Sequence, residues 1–250
     1  MKLFYRSSRC KKADEDRCPH IRGRRILINY AGGGCCQRSQ PINCLTGLTI
    51  GGFDVCLAFN EKAIDYEFAM KNCKILTSAI GGGYWMWKPY IILRTLLAMD
   101  DGDFLFYLDS GAKFVKNFEN SVLCKMAELK QDIAVFSVGL PENAYTKEEA
   151  FVLMDCNTDT CKNTWQRSGT FSMFRKSTKS VRFVSEWLTY AQDWRIISNE
   201  PSGLFQSSET NGHSYKPHRN DQSILSLLSK KWNLDLWPGF FFELKFSIFA

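Results

Sequence analysis

Three short stretches of this 250-residue chain gather residue types that can do chemistry. Asp109-Ser110-Gly111 follows an uninterrupted apolar run, residues 104–108, so a carboxylate is delivered at the C-terminal end of a buried strand, where open α/β sheets bind their ligands. Lys88 stands near a helix start beside Tyr84, Trp85 and Trp87, a cation among aromatic rings; the same residues would also serve as a surface lysine and core packing. Asp221 follows His218 and Arg219 where another helix begins, placed either to take a proton or to cap that helix. Gly32-Gly33-Gly34 ends a first strand, but the chain has neither a GxGxxG in a βαβ setting nor GxxxxGK[ST], so no Rossmann dinucleotide site or P-loop is supported.

The elements that must carry these residues alternate between strand and helix. Strands are expected over 25–30, 54–60, 104–108, 133–138 and 169–175, and helices over 41–50, 61–71, 89–99, 119–130, 147–154, 178–193 and 221–230. That alternation is the pattern of an α/β domain. Residues 198–219, rich in Ser, Asn, Gly and Pro, read as a long loop of the kind that covers a site. Residues 1–24 read as a basic, solvated arm containing Arg6, Arg9, Lys11, Lys12, Arg17, Arg22 and Arg24, ahead of one domain over 25–250.

Composition narrows the classes further. Hydrophobic residues at 45% and charged residues at 23% exclude a disordered or collagen-like chain. A net charge of +6 with acidic residues interspersed in the arm argues against a nucleic-acid binder. No run is long and apolar enough for a transmembrane segment. The first residues lack the apolar core of a secretory signal, so a cytoplasmic protein is expected. Its 10 cysteines then read as reduced thiols. Cys35-Cys36, Cys156 and Cys161 form no CxxC pair, and Cys10, Cys18 and His20 lack a fourth ligand for zinc.

Longer strings surround the three stretches. Residues 81–93 read GGGYWMWKPYIIL, residues 102–111 read GDFLFYLDSG, and residues 218–223 read HRNDQS. On these strings, matching GxGYWxWKPYII, GDxxxYxDxG and HRxDQS in order, the chain resembles the GT-A-type glycosyltransferases over about residues 25–231. It is most similar to the glycan-building transferases of chlorella viruses, large DNA viruses of algae. The resemblance implies a GT-A-like, Rossmann-like fold in one domain, with a mixed, mainly parallel sheet flanked by helices. It also implies a nucleotide-sugar donor such as UDP-xylose, UDP-glucose or UDP-galactose. The acceptor would be an oligosaccharide or glycoprotein hydroxyl, such as a viral capsid-protein glycan, and the setting the cytoplasm of a host cell.

The resemblance also assigns roles. Asn29, Tyr30 and Ala31 would meet the nucleoside, and Arg38 the uridine or diphosphate. Tyr84, Trp85 and Trp87 would stack on uracil or sugar, and Lys88 would carry positive charge to the diphosphate. Asp109, Ser110 and Gly111 would sit at the diphosphate, with Asp109 holding Mn²⁺, and His218 and Arg219 would hold phosphates, His218 alternatively completing the metal shell. Gly111 stands where the family's Asp-x-Asp has its second carboxylate, which leaves the metal one protein carboxylate. By its position Asp221 is the expected general base if the transfer is inverting; Glu186, Asp155, Glu200 and a retaining mechanism are the alternatives. A catalytically silent carbohydrate- or nucleotide-sugar-binding protein of the same fold is the other functional class.

Overall fold

The computed structural model describes residues 1–5, 18–117, 122–201 and 217–237. Arg6, Arg9, Lys11, Lys12, Arg17 and Cys10, the start of the 119–130 helix and most of the 198–219 loop lie outside the described residues.

Eight strands follow in chain order: β1 (Lys2–Tyr5), β2 (Arg25–Tyr30), β3 (Val55–Phe59), β4 (Phe104–Leu108), β5 (Ile133–Ala134), β6 (Ser137–Pro141), β7 (Trp165–Arg167) and β8 (Phe171–Arg175). Six of them make one sheet in the order β1-β3-β2-β4-β8-β5, and β6 pairs with β7 in a small second sheet. β3, β2 and β4 are parallel neighbours. β1 runs against β3, while β4 and β5 both run against β8, so four of the six strands share one direction. The molecule is a mixed α/β single domain with a mainly parallel central sheet.

Every residue of β2 and β4 is buried, as expected for strands covered on both faces. Alternation along them divides the core. Ile26, Ile28, Tyr30, Leu105 and Tyr107 pack with the helices Trp87–Leu97, Thr178–Ala191 and Asn220–Lys231. Leu27, Phe104, Phe106 and Leu108 pack with the helix Gln40–Thr49 and with Phe114 and Met126. The helix Thr178–Ala191 starts at a capping box between Ser177 and Ser180 and lies against Trp87–Leu97.

Four expectations need correction. The segment 61–71 is not one helix: Asn60 caps a short 3₁₀ turn, Ile64 is extended, and Asp65 caps a new helix, Tyr66–Lys71. Two Asx caps within six residues restart the backbone and override the apolar spacing. The strand expected over 133–138 splits, with Ile133–Ala134 in the main sheet and Ser137–Pro141 in the small one. Lys2–Tyr5, placed in the solvated arm, is an antiparallel edge strand on β3.

The cysteines are not all thiols: Cys18–Cys124, Cys35–Cys36, Cys44–Cys56 and Cys156–Cys161 are bonded, and Cys73 is the free one among the described residues. Two of these pairs are made by tertiary packing, which sequence spacing does not report. Cys44 faces Cys56 across a helix and β3, and Cys18 meets Cys124 across 106 residues. Among the described residues no helix is long and apolar enough to cross a membrane.

Candidate functional site

Tyr107 in β4 and Asp109 just past its end are two residues apart, and both meet Lys88 near the N-terminal end of the helix Trp87–Leu97. That helix presents Lys88, which is only 3% exposed. Its Nζ donates to the Gly169 carbonyl at 2.8 Å and stands 2.9 Å from Asp221 Oδ2 and 3.6 Å from Asp109 Oδ1. The Tyr107 hydroxyl donates to Asp109 Oδ1 at 2.5 Å. Asp221 lies in the first turn of the helix Asn220–Lys231, where the Gln222 backbone N–H supports its charged form, and its buried carboxylate is turned inward to Lys88.

Burial sets the charge states here. Asp221 is pushed up to about 6, because burial outweighs the opposing pull of Lys88. For Lys88, burial works against the charged form, but the Asp109 and Asp221 carboxylates overcome it and hold the ammonium above the usual lysine value. Burial, with the Asp109 charge, drives the Tyr107 phenol well above its usual range, so it stays a donor.

Two clefts meet at this point. One, of about 580 Å³, is lined by Tyr30, Trp85, Trp87, Tyr107, Asp109, Ser110, Gly111 and Thr170, together with Gly33 and Gly82. The other, of about 430 Å³, is lined by Trp85, Lys88, Asp109, Tyr145, Thr170, Asn199, His218, Arg219, Asp221 and Gln222. Trp85, Asp109 and Thr170 belong to both and form the seam. A third cavity, of about 570 Å³, lies beside β1 and β3, lined by Leu3, Val55, Leu57, Ile91 and Arg94, away from these carboxylates.

The GGGYW string makes the aromatic wall. Gly81, Gly82, Gly83, Tyr84 and Trp85 all have positive φ, a left-handed turn that glycine adopts freely and tyrosine and tryptophan do not. The turn buries Tyr84 edge-on to Trp194 and leaves Trp85 half-exposed at the seam. Trp87 stacks on Tyr30 with centroids 3.8 Å apart and donates to the Gly81 carbonyl. Stacking buries both of these rings, whereas Trp85 stays partly exposed at the seam.

Other expected site residues take structural places. Asn29 is fully buried on the opposite face of β2, donating to Asn43 and accepting from Gln40; Asn43 in turn donates to the Ala112 carbonyl and steadies the loop after β4. Ala31 is buried with its N–H on the Phe59 carbonyl. Ser110 donates to the Tyr30 carbonyl, tying the ends of β4 and β2 together beneath the larger cleft. Arg38 is exposed and lines neither cleft.

His218 lies at the second cleft, but both ring nitrogens are used: Nδ1 accepts from Lys147 N and Nε2 pairs with the Ile196 carbonyl. Burial and the Lys147 charge lower it to about 3, so it is a neutral anchor rather than a phosphate ligand. Arg219 is exposed over the Tyr145 ring. Among the other base candidates, Glu186 accepts from Trp232 Nε1, and Asp155 and Glu200 are exposed; none lines either cleft.

The Gly33 N–H does not face an open phosphate cradle, because it donates to Glu61 at 2.7 Å. The residues also do not make a metal centre. Asp109 Oδ1 is taken by Tyr107 and lies beside the Lys88 ammonium, His218 has no free nitrogen, and among the described residues no cluster of three His, Cys, Asp or Glu could hold an ion. A Cβ at Gly111 would meet nothing within 4 Å, so a second aspartate would fit there, but the chain does not carry one.

Sequence reasoning missed Tyr107, although its two-residue spacing from Asp109 on a strand signals a shared face. It also missed Gln222, although that residue lies inside the HRNDQS string, and Gly169 and Thr170, for which the sequence held no signal.

No described protein family matches the chain by sequence, and no curated protein does. The fold is similar to the apo form of mouse xyloside xylosyltransferase 1, with TM-score 0.46 and 9% identity over 86% of this chain and 84% of that one. It is also similar to the apo bifunctional glycosyltransferase WbbM, with TM-score 0.40 and 10% identity over 84% of this chain and 38% of that one.

Proposed function

We propose that this chain moves a sugar from a nucleoside-diphosphate donor, most simply a UDP-sugar, to a hydroxyl of a glycan. The observation that carries the reading is the seam: two clefts share Asp109 and Trp85, and one buried ammonium stands between Asp109 and Asp221. Transfer between two bound molecules needs two sites with a common wall, and at that wall a base for the incoming hydroxyl and positive charge for the departing diphosphate.

Each part has a candidate. The larger cleft takes the donor and the smaller the acceptor. Trp85 offers an aromatic face to the sugar passing between them. Asp221, at about 6, is mostly ionised at neutral pH and close enough to it to accept a proton efficiently. Lys88 supplies a fixed cation, and Tyr107 holds Asp109 in one orientation. A base on the acceptor side, opposite the leaving nucleotide, makes the reaction an inverting one. Manganese is the cofactor implied by the sequence resemblance; the described side chains do not form a site for it, and no step is routed through it.

The test is a thermal-shift and donor-hydrolysis screen of UDP-xylose, UDP-glucose and UDP-galactose, with and without Mn²⁺. A donor at 100 times its dissociation constant stabilises the fold by about 2.7 kcal/mol. Asp109→Ala is expected to fold normally and to lose donor binding. Absence of any shift and of nucleotide release, or parental binding by Asp109→Ala, overturns the reading.

A further inference from the structure

Lys88 is placed by a carbonyl, and that carbonyl is itself held from a distance. Gly169, whose oxygen accepts from Lys88 at 2.8 Å, donates its N–H to Gln222 Oε1 at 3.0 Å. Gln222 Nε2 donates to Gln166 Oε1 at 2.8 Å, and Gln166 Nε2 donates to Glu142 Oε1 at 3.0 Å. The Thr146 hydroxyl donates to the same Glu142 oxygen at 2.5 Å. Its other oxygen accepts from Lys230 Nζ at 2.6 Å and from the Ser226 hydroxyl. Glu142, Gln166 and Gln222 are all buried, and Glu142 and Gln166 line neither cleft. A Cβ at Gly169 would lie 2.9 Å from Gln222 Cβ, so only glycine lets this backbone approach the helix.

The direction of the chain follows from its two ends. A carboxylate only accepts, so Gln166 must turn its NH₂ to Glu142 and its oxygen to Gln222. Gln222 must then turn its NH₂ back to Gln166, which leaves its own oxygen for the Gly169 N–H. One carboxylate thereby fixes the orientation of two amides and of the peptide that holds Lys88. Buried chains of this kind are costly when one member is unpaired.

We propose that Glu142, Gln166 and Gln222 are positioning residues, a polarised hydrogen-bond chain that holds the Gly169 carbonyl and through it the Lys88 ammonium at the seam of the two clefts. The role in transfer rests on the function proposed above; the polarity of the chain does not.

The experiment reverses the polarity. In Glu142→Gln, the Lys230 ammonium still requires an oxygen, so the new amide turns its NH₂ toward Gln166 and both glutamines must flip, bringing two donors together at Gly169. In Glu142→Gln/Gln222→Glu the carboxylate stands at the other end of the chain and accepts from both Gln166 and Gly169.

Glu142→Gln is expected to lose about 10- to 100-fold in kcat, the scale of a displacement of about 1 Å, with donor Kd little changed. Its Gly169 amide should also exchange with deuterium about tenfold faster or more. The double variant should recover most of the exchange protection and part of kcat, since Lys230 still lacks its anion. Additive losses in the double variant, or parental kcat and exchange in Glu142→Gln, overturn the proposal.

Should Glu142→Gln fail to fold, a folded double variant supports the chain. If both fail, Gln222→Asn decides. It leaves Glu142 and Lys230 paired but is too short to span Gln166 and Gly169, and parental kcat and exchange in it overturn the proposal. A parent protein without transfer activity removes the proposed function, and Gly169 exchange then still tests the chain.

Discussion

Lys88 and Asp221 hold each other in charge states that burial alone would not allow. The carboxyl is pushed up to about 6 by burial despite the lysine, and the ammonium is kept charged by two carboxylates. The groups facing Asp221 are Lys88, Asp109 and Tyr107. A base with that value gives activity an acid limb near pH 6. Lys88→Met is expected to lower kcat and to move the limb upward, because the lysine pulls the carboxyl down; rate profiles from pH 5 to 8 measure it. Asp221→Asn removes the proton acceptor while keeping the side chain's size, so turnover should fall by about 100-fold to 10,000-fold with donor affinity little changed. Near-parental turnover in a folded Asp221→Asn protein would reduce Asp221 to a counter-ion of Lys88. Stability gives an independent check. A carboxyl raised in the folded state contributes stability that is present below its unfolded value and is lost as pH rises through about 6. The parent should therefore lose stability between pH 4 and 7, on the order of 3 kcal/mol from this group, and Asp221→Asn should flatten that slope.

β4 and the left-handed turn before the helix Trp87–Leu97 are the elements that bring these residues together. The turn depends on its glycines. Gly83 has φ +98°, and a Cβ there would lie 2.8 Å from the Leu76 backbone. Gly83→Ala is expected to destabilise by about 1–3 kcal/mol and to displace Trp85, read as a lower Tm together with weaker donor binding. Parental Tm and binding in Gly83→Ala would show that the turn tolerates a side chain. β4 was legible because five consecutive apolar residues leave a buried strand as the simplest solution, and Asp109 followed from its end. The helices carrying Lys88 and Asp221 were legible from their apolar stripes. Asn29 was not, because a place at a strand end does not say which face a side chain takes, and the pleat turns Asn29 to the face opposite Tyr30. The surroundings of His218 were not legible for a related reason: its motif placed it beside Asp221, but burial and the Lys147 charge keep it neutral, and its ring nitrogens meet the backbone of the distant residues Lys147 and Ile196. The chain from Glu142 to Gly169 joins three separate segments, and no spacing in the sequence marks it.

At the scale of the whole molecule, the site is assembled from two stretches of chain, with Tyr30, Lys88 and Asp109 in the first half and Gly169 and Asp221 in the second. The Cys18–Cys124 bond closes 106 residues and encloses β2, β3, β4 and the helix bearing Lys88, all of the first-half contribution. Closing a loop of that length restricts the unfolded chain, and loss of a native disulfide typically costs about 2–5 kcal/mol. In a protein of this size that corresponds to a fall in Tm of roughly 5–15 °C. The double variant Cys18→Ser/Cys124→Ser is expected to show such a fall under non-reducing conditions while keeping donor affinity, since neither cysteine lines a cleft. Reductant should lower the Tm of the parent more than that of the variant, because the parent has this bond still to lose. Peptide mapping after alkylation of the native protein provides the direct reading. Cys18 and Cys124 recovered as one cross-linked pair, with Cys73 alkylated, is the expected outcome, and alkylated Cys18 and Cys124 with an unchanged Tm in the double variant would return these two residues to the reduced state their sequence context suggested.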